Sequence, residues 1–133
     1  MVLVDSTVWI DLLRASSNAA VERLRRLLTQ GDACVAGVIV QELLQGAASA
    51  AHLERLQARF LALPQLPTRP HGQTHAAAGA LYARCRWAGV TPRSSHDCLI
   101  AQLAIEHEVP LLHDDRDFEQ LATVEPMLRL LRG

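Results

Sequence analysis

Four acidic residues lie beside apolar stretches of this chain, where an α/β fold would bring them together. Asp5 follows the run VLV, Glu42 lies within GVIVQELLQG, Asp97 opens DCLIAQLAI, and Asp115 follows PLLHD. Carboxylates are costly to bury unless they are paired or bound to a metal ion. Acids that converge from the ends of core segments therefore predict a site for a hard cation, and a metal-dependent hydrolase is the hypothesis to test.

Each of these acids also has an ordinary structural explanation. Asp5 could cap a helix that begins near Thr7, although Ser6 and Thr7 are themselves competent caps. Glu42 could be a solvated surface residue. Asp97 could be a first-turn acid that suits the dipole of its helix. The metal hypothesis therefore depends on the acids lying close together in the fold.

The segment HDDRDF adds Asp114, Asp115 and Asp117 around Arg116. A solvated loop would explain at least one of these acids. A segment that directly follows a strand could instead place one of them in the site and another beside it, in support. The sequence leaves open which of the three completes the site.

Zinc fits this sequence poorly. The histidines are scattered, HExxH is absent, and no CxxC occurs. His113, at the end of an expected strand, could orient a neighbouring acid or could simply pack. The cysteines, Cys34, Cys85 and Cys98, are odd in number and widely spaced, so we expect buried thiols rather than disulfides.

The charge composition excludes several classes of protein. The net charge is −1, so the chain is not a globally basic nucleic-acid binder. All 13 positive residues are arginines, which suits phosphate contacts but could equally reflect a compositional bias of the genome. The absence of lysine argues against a receiver-like phosphoryl-transfer domain, and GxxxxGK[ST] of the P-loop is missing.

Length and hydropathy favour one compact domain over residues 1–133. Half of the 133 residues are hydrophobic, which argues against disorder. No apolar run approaches the roughly 20 residues that span a bilayer. The start of the chain lacks the basic region of a secretory signal, so the expected location is the cytoplasm.

The hydrophobic pattern predicts short strands that alternate with helices. We expect strands at 2–4, 33–36, near 66, and at 111–113, a final apolar segment at 127–131, and helices at 7–14, 18–30, 38–46, 49–62, 73–88, 96–108 and 118–122. This alternation predicts an α/β fold with a mostly parallel sheet covered on both faces. In such sheets the functional site lies at the carboxyl ends of the strands, where Asp5 and either Asp114 or Asp115 fall.

Four segments of the chain, in this order, resemble the PIN-domain family, and within it the VapC-type toxins of bacterial toxin–antitoxin pairs. They are MVLVDSTVWIDLLR, VIVQELLQG, SSHDCLIAQLA and LLHDDRDFEQLA, and together they cover nearly the whole chain. Each motif alone is weak, whereas four in order are a specific match. The resemblance implies a three-layer α/β/α PIN-like fold with a short-stranded central sheet.

The resemblance also implies metal-dependent endoribonuclease activity. It assigns Asp5, Glu42, Asp97 and Asp115 as catalytic acids that bind Mg²⁺ or Mn²⁺, with Asp117 as an auxiliary metal ligand. The expected products carry a 5′-phosphate and a free 3′-hydroxyl. The sequence identifies neither the RNA target nor whether one metal ion or two are used.

Substrate contacts are implied for four further residues. Ser6 or Thr7 matches the small hydroxyl residue after the first acid, which positions substrate or water in the family. Arg93 and Arg116 are the arginines nearest to the motifs, so they are candidates for binding phosphate. Either arginine could equally be a plain surface charge.

The family implies two protein partners. A cognate VapB-type antitoxin would insert a side chain, often arginine, into the acidic site, and the apolar faces of residues 7–13 and 49–63 could receive it or belong to the core. A homodimer is also expected, and no membrane association is. The alternative function is a catalytically silent PIN-like module that binds RNA or protein.

Overall fold

The computed structural model describes all 133 residues. Short strands and helices alternate along the chain, as the hydrophobic pattern predicts. The elements are β1 (Val2–Val4), α1 (Ser6–Leu13), α2 (Ala19–Gln30), β2 (Ala33–Cys34), α3 (Gly37–Leu44), α4 (Ala50–Leu61), α5 (Gln73–Trp87), α6 (Ser95–Glu106), β3 (Leu111–Leu112), α7 (Arg116–Val124) and β4 (Leu130–Leu131).

The four strands form one parallel sheet in the order β2-β1-β3-β4. Leu3 in β1 pairs with Cys34 on one side and with Leu111 on the other. These central strands are fully buried apolar runs, as expected for a parallel sheet with helices on its faces. The predicted α/β architecture is confirmed, and the final apolar segment supplies the edge strand β4.

Side-chain caps fix the starts of several helices. The Asn18 side chain accepts a hydrogen bond from the Val21 backbone at the start of α2, and Ser49 and Ser94 cap α4 and α6 in the same way. At α1 the cap is Asp5, which is one of the alternatives that the sequence leaves open, and not Ser6 or Thr7. Asp5 takes the position because it follows β1 directly and its carboxylate reaches the first turn.

Two sequence expectations for the ends and faces of helices need correction. The helix expected to stop at Gly46 ends at Leu44, with Gln45 as its C-cap. Leu53 and Leu61, expected on the apolar face of α4, are 39% and 55% exposed. Because α4 packs mainly on α3, a single neighbouring helix covers only a narrow stripe of it.

The hydrophobic core lies between the sheet and its helices. Trp9 of α1 packs edge-to-face on Phe60 of α4, with ring centroids 5.2 Å apart. The predicted burial of the cysteines is confirmed, since Cys34, Cys85 and Cys98 are buried and free. None of the helices is long and apolar enough to cross a membrane.

The topology brings the acidic segments to one edge of the sheet. The Asp5 backbone N–H donates to the Leu112 carbonyl at 3.0 Å, which places the end of β1 beside the end of β3. Helices α5 and α6 run antiparallel, since Thr74 at the start of α5 donates to Glu106 at the end of α6 at 2.8 Å. The first turn of α6, with Asp97, therefore lies at the opposite end of this helix pair.

Candidate active site

Asp5 is both a helix cap and a buried member of the acidic site. Its side chain accepts from the Thr7 hydroxyl at 2.6 Å and from the Thr7 backbone N–H at 3.3 Å. The residue is only 2% exposed. Burial raises the pKa of Asp5, although the bonds from Thr7 work in the opposite direction and Asp115 adds a smaller repulsion. Asp5 therefore caps α1 and lies near the other acids, and its role as a metal ligand stays a prediction.

Glu42 projects from α3 with one carboxylate oxygen unsatisfied. Its Oε1 is buried and has no hydrogen-bond partner. Burial raises the pKa of Glu42, and the charge of Asp5 raises it further, while His96 and Ser6 lower it. A buried acceptor without a donor is costly, so this oxygen is suited to receive a proton donor or a cation.

Asp97 lies in the first turn of α6 and connects the other acids. Burial raises the pKa of Asp97 to about 7, with repulsion from the neighbouring carboxylates as the next cause. Those neighbours are Asp5, Asp115, Asp117 and Glu42. Since all of them act on one side chain, the acids that the motifs place on separate segments do converge in the fold.

Asp115 and Asp117 complete the cluster on its exposed side. Carboxylate oxygens of Asp97, Asp115 and Asp117 lie within 4.8 Å of one another. Asp115 also caps α7, since its Oδ1 accepts from the Asp117 backbone N–H at 2.9 Å. Asp114 is exposed and lies outside this group. The geometry thus distinguishes Asp115 from its neighbour, which the sequence could not do.

Arg93 bridges the two outer acids. Its Nε donates to Asp117 Oδ2 at 2.9 Å, and a terminal nitrogen donates to Asp115 Oδ1 at 3.0 Å. The bonds and the charge of Asp117, followed by those of Asp115, raise the pKa of Arg93. Arg93 is therefore engaged by the cluster, and it is not the free surface charge that the sequence left as an alternative.

His113 supports the turn that carries Asp115. The ring is 1% exposed, and its Nδ1 accepts from the Asp115 backbone N–H at 3.1 Å, so the proton of the neutral ring belongs on Nε2. Nε2 lies 3.3 Å from Glu119 Oε1, but not at hydrogen-bonding angles. The ring packs edge-to-face on Phe118 at 5.4 Å. Both sequence interpretations of His113, orienting and packing, apply.

The remaining candidates for substrate contact surround the acids. Ser6 is buried and Thr7 is exposed, both in the first turn of α1 beside Asp5. Arg116 begins α7 directly after Asp115 and is exposed, with no ion pair. It therefore differs from Arg93, whose guanidinium is already bound to carboxylates.

A large cavity lies next to the acids and is lined by none of them. It has a volume of about 920 Å³ and lies between α3, α5, α6 and the segment 65–68. Gln41 and His96 line it, each one position before an acid of the cluster, and no arginine does. The carboxylates of the cluster are thus not part of the lining of this cavity.

The donor set fits a hard divalent cation. All five side chains offer carboxylate oxygens, and none offers the nitrogen or sulfur that zinc prefers. Burial and mutual repulsion raise the pKa of Asp97 and Glu42. A cation placed among these carboxylates would reduce the electrostatic cost of their ionised forms. The unsatisfied Oε1 of Glu42 supports the same assignment.

Comparison with known proteins identifies the family to which this arrangement belongs. Residues 2–124 match the family model described as PIN domain. The chain belongs to the PIN domain family. The PIN domain is also 37% identical over 126 residues to VapC ribonuclease Mb1587 of Mycobacterium bovis, with 93% of each chain covered. Ribonuclease VapC11 of Mycobacterium tuberculosis H37Rv matches with the same figures.

Solved structures confirm the PIN-like fold. VapBC2 from Rickettsia felis, bound to a DNA fragment from its promoter, matches with a TM-score of 0.77 and 16% identity, over 100% of this chain and 99% of that one. FitAB bound to the IR36 DNA fragment matches with a TM-score of 0.76 and 20% identity, over 99% and 94% of the two chains. The expected α/β/α architecture of this PIN domain is thereby confirmed.

Proposed function

We propose that residues 1–133 form a single PIN-like nuclease domain, a VapC-type endoribonuclease that hydrolyses RNA phosphodiester bonds and serves as the toxin of a toxin–antitoxin pair. The observation that carries this proposal is the convergence of carboxylates from separate segments on Asp97. The 37% identity to named VapC ribonucleases supports RNA as the substrate. The enzyme depends on a divalent metal ion, in keeping with the PIN family and the acidic cluster.

We assign the catalytic acids as Asp5, Glu42, Asp97 and Asp115, with Asp117 as a further metal ligand. Mg²⁺ or Mn²⁺ is the metal, because both accept oxygen ligands and retain waters in their coordination shells. When bound, such an ion activates water and neutralises charge that develops on the phosphate. The expected products carry a 5′-phosphate and a 3′-hydroxyl.

The chain's own groups position the reactants. Glu42 Oε1 accepts no hydrogen bond, so we assign this oxygen to the metal ion together with the other acids. Thr7 holds the Asp5 carboxylate in one orientation through a 2.6 Å hydrogen bond. Arg93 and Arg116 are exposed, and we assign them to bind phosphates of the RNA; we assign Ser6 to orient water or substrate.

A VapB-type antitoxin is the expected partner. Relatives of this fold have been solved as VapBC and FitAB assemblies. An arginine inserted by an antitoxin would pair with the carboxylates and exclude the metal ion. The exposed Leu53 and Leu61 on α4 and Leu13 on α1 offer apolar contacts for such a partner. We also propose that the protein forms a homodimer. We propose that it acts in the cytoplasm, where it would meet RNA.

Cleavage of total RNA by the purified, antitoxin-free protein tests this function. We expect cleavage with Mn²⁺, none with EDTA, and a loss of about 100-fold or more in Asp97→Asn. Asp32→Asn is the matched control, because Asp32 lies outside the cluster, and it should cleave like the parent chain. Folded protein that cleaves no RNA in any condition would favour the silent binding module instead.

A further inference from the structure

Arg93 occupies carboxylate oxygens that a metal ion would also use. Its guanidinium contacts Asp115 Oδ1 and Asp117 Oδ2, and both acids belong to the group whose oxygens lie within 4.8 Å of Asp97. Arg93 is the one arginine or lysine that forms an ion pair with this cluster. The guanidinium of Arg93 therefore lies against the carboxylates of the proposed metal site.

The ion pair between Arg93 and the two outer acids has its guanidinium end in solvent, so it can open. The Arg93 side chain is 75% exposed, while the acids that it bridges are 19% and 12% exposed. The buried Pro92 precedes it, and the Arg93 backbone N–H donates to Asp117 Oδ2 at 3.4 Å, so the backbone is held while the side chain faces solvent. Because the guanidinium end of the pair lies in solvent, water can replace its contacts when the side chain turns away.

The inner acids have no such partner. Asp5 is bound by Thr7, and Glu42 Oε1 is bound by nothing, so no guanidinium neutralises this half of the site. A divalent ion would gain most from these inner carboxylates. Its charge would then repel the guanidinium of Arg93 across the shared cluster, and the ion would also compete for the outer oxygens.

We propose that Arg93 is a built-in competitor of the metal ion. It occupies Asp115 and Asp117 in the metal-free protein, and it turns outward towards substrate phosphate when a divalent cation takes those carboxylates. This inference rests on the proposed metal site. It adds that the chain itself limits metal affinity, and that metal binding frees the arginine that holds the RNA.

Mn²⁺ binding in the absence of RNA provides the test. Free Mn²⁺ is followed by electron paramagnetic resonance during titration of the EDTA-stripped full chain. Arg93→Gln keeps the length and an amide donor but removes the charge, and it should bind Mn²⁺ about tenfold more tightly. Arg93→Lys, which keeps one charge without the two-pronged contact, should fall between the two. Arg116→Gln removes an unpaired neighbouring charge and should change the affinity less than about threefold.

The outcomes separate this inference from the proposed function. If Arg93→Gln binds Mn²⁺ no more tightly than the parent chain and Asp97→Asn binds it more weakly, the proposal that Arg93 competes with the metal ion is wrong. The proposed metal site would stand in that case. An equal gain in Arg116→Gln also overturns the proposal for Arg93, because net charge alone would then explain the effect. Absence of binding in every chain overturns both proposals. Tighter binding in Arg93→Gln alone supports the competitor.

Discussion

The inner and outer halves of the acidic site handle negative charge differently. In the inner half, Asp5 is 2% exposed and Glu42 Oε1 is buried without a partner. In the outer half, Asp115 and Asp117 accept charge-assisted hydrogen bonds from Arg93. The chain thus supplies a guanidinium to the outer half of the site and none to the inner half.

This difference indicates where the fold gives up stability for function. Burial raises the pKa of Asp5 and of Glu42 and no arginine forms an ion pair with either, whereas the outer acids have the guanidinium of Arg93 beside them. Asp97 lies between the halves and is repelled by both, which together with burial raises its pKa to about 7. Uncompensated charge of this kind is a cost that a bound cation removes, and it is typical of functional sites.

The largest effect should come from removing an outer acid that belongs to the cluster. Asp115→Asn should lower RNA cleavage about 100-fold, because it removes a carboxylate within 4.8 Å of Asp97 and Asp117. Asp114→Asn, one position earlier and exposed, should remain within about threefold of the parent chain in the same assay.

Thermal denaturation of both variants separates catalysis from folding. Asp115 also caps α7, and loss of the cap alone would cost about 1 kcal/mol. If Asp114→Asn loses RNA cleavage and Asp115→Asn keeps it, Asp114 and not Asp115 is the catalytic acid of this turn.

A smaller effect is expected in the stability of the metal-free protein as pH changes. Asp97 ionises at about 7 in the folded protein and near its ordinary value of 3.8 when unfolded. Between these values the folded chain holds more protons, so its free energy of unfolding falls as pH rises. Since the side chain is partly solvated, we expect a loss of roughly 1–2 kcal/mol between pH 5 and pH 8.

Melting temperatures in EDTA measure this loss, and Asp97→Asn is the comparison. The variant cannot ionise at this position, so it should be the more stable chain at pH 8 and should lose less stability over the same range. Mn²⁺ at pH 8 should restore the parent chain by mass action but not the variant. Parallel pH profiles of the two chains would contradict the assignment of the raised pKa to Asp97.

The fold could be predicted because its strands and helices leave strong local signals. The run VLV before Asp5 and the run LL before His113 mark buried strands of a parallel sheet, and Asn18 and Ser94 mark helix starts. The face of α4 could not be predicted in the same way. Whether Leu53 and Leu61 are buried depends on which neighbours cover the helix, and that is a property of the tertiary structure.

The candidate site also has parts that local sequence motifs predict and parts that depend on the tertiary structure. Asp5, Glu42, Asp97 and Asp115 could be proposed from motifs that each lie within one segment, and the fold brings them together. Their catalytic roles remain predictions. The bridge from Arg93 to Asp117 spans 24 residues and leaves no local pattern, so the sequence could name Arg93 only as a nearby charge. The hydrogen bond between His113 and the Asp115 backbone likewise depends on a turn geometry that spacing alone does not specify.

The smallest effect should come from the hydroxyl that supports the inner half. Thr7→Val removes the 2.6 Å hydrogen bond to Asp5 and should cost about 1 kcal/mol of stability. It should also weaken Mn²⁺ binding a few-fold, because that bond holds the Asp5 carboxylate in one orientation and lowers its pKa. Thr7→Ser should restore both properties. Thr123→Val is matched, since its hydroxyl donates an equally short 2.6 Å bond to the Gln120 carbonyl and Thr123 does not belong to the acidic cluster. Mn²⁺ affinity that falls equally in both valine variants would mean that Thr7 serves the helix alone, and that the inner acids keep their arrangement without it.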